Sequence, residues 1–179
     1  PSPAVRREVA LAMRDVPLDA CTDILVKIAG TYDGQDRWYL EAFGTACEGR
    51  EESIFPVLQE EYGAAPTEWD ARFAGLVWRL HPAGAIAPLT TRALCDDLTE
   101  PQRRQAIDSL AFIEEEAAAE AMIQIATLGP TDLRAAADWW IDFRSTNLWR
   151  DYPIAVDYSR PDTSMPTEVA GVHLPGGPV

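Results

Sequence analysis

Apolar positions recur along this chain at three- and four-residue spacing, and nowhere do they hold a sustained two-residue alternation. The pattern therefore predicts helices and no convincing strand. Ser2-Pro3 opens the first segment, Ser as cap and Pro in the first turn. Val5, Val9, Ala12 and Met13 form its apolar face to about Arg14, and Pro17 ends it. The next helix runs from Leu18 to Ala29 with Ile24, Leu25 and Ile28 as its stripe, closed by Gly30. Asp33 is the predicted cap of a helix from Gln35 to Cys47, with Leu40 and Phe43 inward and Gly49 as breaker. Glu51 to Tyr62 carries Ile54, Phe55 and Leu58, while Pro56 predicts a kink or a start close to it. Thr67 with Asp70 suggests a capping box for a helix ending at Leu80, with Phe73, Leu76 and Val77 apolar. Beyond the turn His81-Pro82 and Gly84, a helix spans Ile86 to Leu94. Thr99-Glu100-Pro101-Gln102 then gives a fuller capping signal for a helix reaching about Ile113. Glu114-Glu115-Glu116 opens an Ala-rich helix with Ala118, Met122, Ile123 and Ile125 inward. Gly129-Pro130 ends it, and Thr131 caps the last helix, Asp132 to about Phe143.

A second period lies over the first. Arg6, Arg37, Arg72, Arg103 and Arg134 are separated by 31, 35, 31 and 31 residues, each near the start of a predicted helix. Three positions on stand Val9, Leu40, Gly75, Ala106 and Ala137; six on stand Ala12, Phe43, Trp78, Ser109 and Trp140. A period in the low thirties carried by paired helices predicts an all-α chain, an α-solenoid of about nine helices over residues 1–152. From Pro153 the periodicity stops. The last 27 residues hold five prolines and three glycines, which predicts an extended tail or a linker to a further domain.

Composition narrows the function classes. A chain of 179 residues, 47% apolar and 25% charged, is globular and can bury a sizeable core. No run of apolar residues is long enough for a transmembrane helix, and no signal-peptide pattern is present. The start at Pro-Ser-Pro, without Met, suggests an excised or processed chain. The net charge of −14 repels phosphate backbones and anionic membranes, so neither nucleic acid nor direct membrane insertion is expected. Cys21, Cys47 and Cys95, at spacings of 26 and 48, match no zinc or redox motif and are expected as free, buried thiols.

The arginine-bearing helices resemble the second helix of HEAT-type repeats, in which Val-Arg precedes small residues and then a large apolar one. Val5-Arg6 keeps the pair, and Leu133-Arg134-Ala135-Ala136-Ala137 is a close match. The helices bearing Pro56 and Pro88 resemble the proline-bearing first helix of such repeats. The resemblance implies an Asp–Arg ladder between neighbours, yet only Asp97 stands six residues before its Arg. Asp36, Asp70 or Asp132 would have to serve elsewhere. The five arginines are accordingly expected to be structural, bonding interhelix carbonyls and nearby acids. A narrower likeness lies in Trp139-Trp140-Ile141-Asp142-Phe143-Arg144-Ser145-Thr146-Asn147-Leu148-Trp149-Arg150-Asp151-Tyr152. It resembles the stretch that closes the HEAT-like region of planctomycete-type membrane-bound dehydrogenases. That likeness implies an interior module of a larger exported (periplasmic) protein, flanked by a β-propeller domain and a c-type haem domain, neither of which this sequence contains.

Candidate chemistry is sparse. His81 and His173 fit no metal spacing, and neither a nucleophile elbow nor a phosphate loop occurs, so no catalytic residue, metal or cofactor is assigned. The unusual feature is the aromatic stretch, whose Trp139, Trp140, Arg144, Asn147, Trp149 and Tyr152 form either a cap on the end of the stack or a recognition patch. Two function classes follow. One is a non-catalytic scaffold that binds a protein or flanking domains of its own chain. The other is a ligand or enzymatic site in the groove, as the HEAT-like bilin lyases and DNA glycosylases imply, with Trp38, Trp78 and Trp140 as its lining. Partner identity, oligomeric state and compartment are not legible.

Overall fold

The computed structural model describes residues 2–63 and 65–154. Among these, nine α-helices and two short 3-10 turns occur and no strand, so the chain is all-α as the pattern predicts. The helices are α1 (Pro3–Ala12), α2 (Leu18–Ala29), α3 (Arg37–Ala46), α4 (Glu51–Tyr62), α5 (Ala71–Leu80), α6 (Ile86–Leu94), α7 (Glu100–Leu110), α8 (Glu116–Leu128) and α9 (Thr131–Ser145). The tail reading for 153–179 lies, beyond Ile154, outside the described residues.

Consecutive helices pack together, most extensively α8 with α9 and α6 with α7, and alternate helices pack as well. α1 packs on α3, α3 on α5, α5 on α7 and α7 on α9; α2 packs on α4, and α6 on α8. Between them runs one continuous core, whose fully buried side chains include Leu25, Phe43, Ile54, Leu58, Leu76, Ile107, Met122 and Ile125. Each such side chain contributes roughly 1.5–3 kcal/mol when removed from water.

The caps explain where the helices begin. Ser2 accepts the Val5 N–H at 3.4 Å. Asp36, not Asp33, caps α3 by accepting from Tyr39 N at 3.0 Å. Asp33 instead folds the preceding turn, accepting from Gln35 N and Asp36 N at 2.8 Å each. The Thr67/Asp70 capping box does not form: Pro66–Glu68 is a 3-10 turn, and Asp70 itself caps α5 through Phe73 N at 2.8 Å. The Thr99 signal holds, with Gln102 Oε1 accepting Thr99 N–H at 3.0 Å. α9 starts after Pro130 with no side-chain cap, although Thr131 was the expected one. α4 continues through Pro56.

Two predicted faces are rotated. On α1 the buried residue is Ala10, flanked by half-buried Arg6 and Met13, whereas Val5 and Val9 are exposed. On α2 the stripe is Cys21, Leu25, Ile28 and Ala29, and Ile24 faces water. The reason is spacing. Positions three and four apart share a face; α1 lies against α3 with the small Ala10 inward, whereas α2 turns Leu25 and Ile28 inward together with Cys21 and Ala29.

Arg37, Arg72, Arg103 and Arg134 bond to residues close to them in sequence. Arg37 is 80% exposed and lies 3.7 Å from Glu41; Arg72 pairs with Asp70 at 2.7 Å. Arg103 reaches Asp96 at 3.4 Å rather than Asp97, and the Arg134 Nε–H donates to the Gly129 carbonyl. Cross-unit ties come from other residues. Arg50, between α3 and α4, donates to the carbonyls of Met13 (2.6 Å), Arg14 (2.9 Å) and Val16 (2.6 Å), and to Ala46 at the end of α3 (3.0 Å). Buried Arg92 donates to the Pro66 and Trp69 carbonyls while lying 5.3 Å over the Trp69 ring. Arg79 pairs with Glu41 at 2.7 Å, and Gly44 leaves the space that the Arg79 guanidinium fills.

Candidate functional site

The C-terminal ends of α5, α7 and α9 lie side by side, and an aromatic ladder runs across them. α5 stops at His81, which adopts a left-handed backbone (φ 50°, ψ 41°) and donates its N–H to the Val77 carbonyl at 3.0 Å. Its imidazole stacks on Phe112, just past α7, with centroids 5.3 Å apart and planes at 18°. Phe112 meets Trp140 edge-on at 5.6 Å and Trp78 at 6.3 Å. Along α9, Trp139 stacks on Phe143 one turn later at 5.4 Å, planes 5° apart. The surface remains open to solvent: Phe112 is 39%, Trp139 37% and Phe143 46% exposed.

Arg144 sits within the ladder. Its guanidinium carbon lies 4.4 Å from the Phe112 ring centre, 5.1 Å from Trp140 and 5.4 Å from Phe143, a cation held by three aromatic faces. Burial lowers its pKa, and its Nε–H is buried without a hydrogen-bond partner. His81 feels the same surroundings. Burial, then the positive charges of Arg79 and Arg144, press its pKa down to about 4, so it is neutral near pH 7. Beside the ladder Trp140 Nε1–H donates to Asp108 Oδ1 at 2.8 Å. Burial raises the Asp108 carboxyl above the usual range, against the opposing effects of that hydrogen bond and of Arg104.

The six residues expected to form a patch or a cap divide among different jobs. Trp139, Trp140 and Arg144 belong to the ladder. Asn147 builds the turn after α9, its Nδ2 donating to Phe143 O at 2.8 Å and its Oδ1 accepting Leu148 N–H at 2.7 Å. Trp149 is fully buried and donates Nε1–H to Ile113 O at 3.0 Å, so it belongs to the core and not to an exposed patch. Tyr152 is half-buried against that core. Trp38 is 75% exposed and makes none of the ladder's ring contacts; it follows its repeat arginine by one residue, whereas Trp78 and Trp140 follow theirs by six.

Phe112, Asp108 and the joint role of His81 escaped the sequence reading, yet the repeat contains the signal. His81, Phe112 and Phe143 each stand nine residues after Arg72, Arg103 and Arg134. Equal register brings them to adjacent heights, where His81 stacks on Phe112 and Phe143 joins through Trp140 and Arg144.

Among the described residues no group of three or more His, Cys, Asp or Glu is placed to hold a metal ion, and no helix is long and apolar enough to cross a membrane. The three cysteines are free; Cys21 and Cys47 are buried as expected, Cys95 is only half-buried, and burial raises the Cys47 thiol to about 12, which leaves it protonated and unreactive. Comparison with protein-family models, curated proteins and solved structures finds no match.

Proposed function

We propose that the chain is a HEAT-like α-solenoid of antiparallel helix pairs that acts as a non-catalytic scaffold, binding a protein partner or flanking domains of a larger protein. The packing of consecutive and of alternate helices and the recurrence of arginine in the low thirties support the architecture. The observation that carries the function is the solvent-open ladder of Phe112, Trp139, Trp140 and Phe143 around Arg144. Trp and Arg dominate the energetics of protein interfaces, and a rigid aromatic surface costs little entropy to dock. The recognition reading of this end is therefore preferred to the cap reading for Trp139 and Phe143, while Trp149 serves the core.

The test is capture of partners by the purified chain from extract of its source cell, beside a Trp139→Ser/Phe143→Ser double variant. Both side chains are already partly in water, so the variant should melt cooperatively like the parent. Loss of a captured protein with the melt unchanged supports the recognition surface. Equal capture by both removes the ladder from the interface.

A further inference from the structure

We propose that the depression between α5 and α7 is an arginine-binding subsite, taking the guanidinium of a basic partner segment stacked on Trp78 and paired with Asp108. The inference rests on the scaffold reading and gives its partner a chemistry. The depression, of roughly 350 Å3, is lined by Trp78, Pro101, Arg104, Gln105 and Asp108. It thus offers one aromatic wall and one carboxylate.

Three observations point to a cation. First, the Asp108 carboxylate is held in place before any partner arrives, because Trp140 reaches it from α9 with a 2.8 Å hydrogen bond. That bond uses Oδ1; among the described residues Oδ2 has no hydrogen bond. Secondly, this carboxylate is half-buried and has no cation of its own within ion-pair distance among the described residues. Arg104, which shares the depression and whose charge acts on Asp108 at longer range, bonds through Nη2 to Glu100 Oε1 at 3.1 Å. A partly desolvated acid gains more from an incoming cation than a fully hydrated one does. Thirdly, the chain carries a net charge of −14, whose long-range field draws basic segments towards it and repels acidic ones. Arginine fits better than lysine. Its guanidinium is planar and weakly hydrated and stacks on indole, whereas an ammonium presents a strongly hydrated point charge.

The probe is an acetylated, amidated hexa-arginine peptide, titrated into the full chain by calorimetry and by 1H–15N NMR observing the Trp140 indole N–H. Binding should shift that signal, because the indole bonds directly to the acid that receives the guanidinium. Asp108→Asn keeps an oxygen for the indole and so keeps the fold, and should weaken binding at least about tenfold, equivalent to about 1.4 kcal/mol. Glu60→Gln, at an exposed acid of α4, should change it by less than about twofold, as expected for a solvated charge. Hexalysine should bind more weakly than hexa-arginine. Equal weakening by the two substitutions means diffuse attraction to an acidic surface and overturns the proposal, as does an unmoved indole signal or equal affinity for both peptides. Any of these failures leaves the scaffold reading standing, since its own test uses Trp139 and Phe143 and no basic probe.

Discussion

Arg50 is the residue whose removal tests the account of how the first two helices are held. α1 buries only Ala10 completely, so apolar packing gives it little grip. The guanidinium of Arg50 closes its far end, donating to the carbonyls of Met13, Arg14 and Val16 at 2.6–2.9 Å from 34 to 37 residues away. The chain leaving a helix has carbonyls without intrahelical partners; here Met13 O also accepts the Val16 N–H at 3.2 Å and Val16 O the Cys21 thiol at 3.7 Å, so Arg50 completes a partly satisfied set. Arg50→Met keeps the aliphatic stem and removes the donors. At about 1 kcal/mol for each of the two part-buried hydrogen bonds, to Met13 and Val16, and less for the exposed one to Arg14, the expected loss is ~2–3 kcal/mol, a large fraction of a typical domain's stability. Arg50→Lys places one ammonium where a fork spans several acceptors and should recover less than half of that. Arg37→Met is the matched control, since Arg37 is 80% exposed and its 3.7 Å pair is worth ~0.5 kcal/mol or less. The assay is urea unfolding followed by circular dichroism, with amide exchange mapped on α1 and α2. A loss below ~1 kcal/mol in Arg50→Met, with exchange over Pro3–Ala29 unchanged, would refute the argument that this guanidinium fastens the first unit.

Two further outcomes follow from the same geometry. Trp149→Phe removes a buried N–H donor from the Ile113 carbonyl and leaves a void, and should cost ~2–4 kcal/mol in unfolding free energy; a loss under ~1 kcal/mol would return Trp149 to the surface. His81 has a folded pKa near 4 against 6.5 for a free histidine, so the unfolded chain binds the extra proton in between. Its contribution to stability is therefore complete above pH 6.5 and is lost as the pH falls towards about 4. His81→Asn, which tolerates the left-handed backbone, should flatten the stability curve over that window, and an NMR titration giving an ordinary midpoint of 6.5 would contradict the burial argument.

Local chemistry was largely written in the sequence. Three-and-four spacing of apolar residues, with Gly and Pro as punctuation, determined that the chain is helical. α2, α4 and α6 begin and end where the pattern puts them, because helix periodicity and termination are properties of neighbouring residues. The repeat of arginine every 31–35 residues was equally visible, as was the concentration of aromatics near the end. Sequence could not decide which of two adjacent stripes turns inward. Val5 and Val9 lost that competition to Ala10 because α3 packs against the smaller surface. It could not assign work among the arginines either: Arg37, Arg72, Arg103 and Arg134 bond locally, while the unpatterned Arg50 and Arg92 bridge segments 23–37 residues apart. Nor could it separate Trp149, drawn into the core by the turn at Asn147, from Trp139, left in water four residues before Phe143. Each of these outcomes depends on what an adjacent unit presents across a helix interface, which no single segment contains. The ladder of His81, Phe112 and Phe143 joins the two levels: its register was present in the chain, but only the side-by-side placement of three helix ends made it a surface.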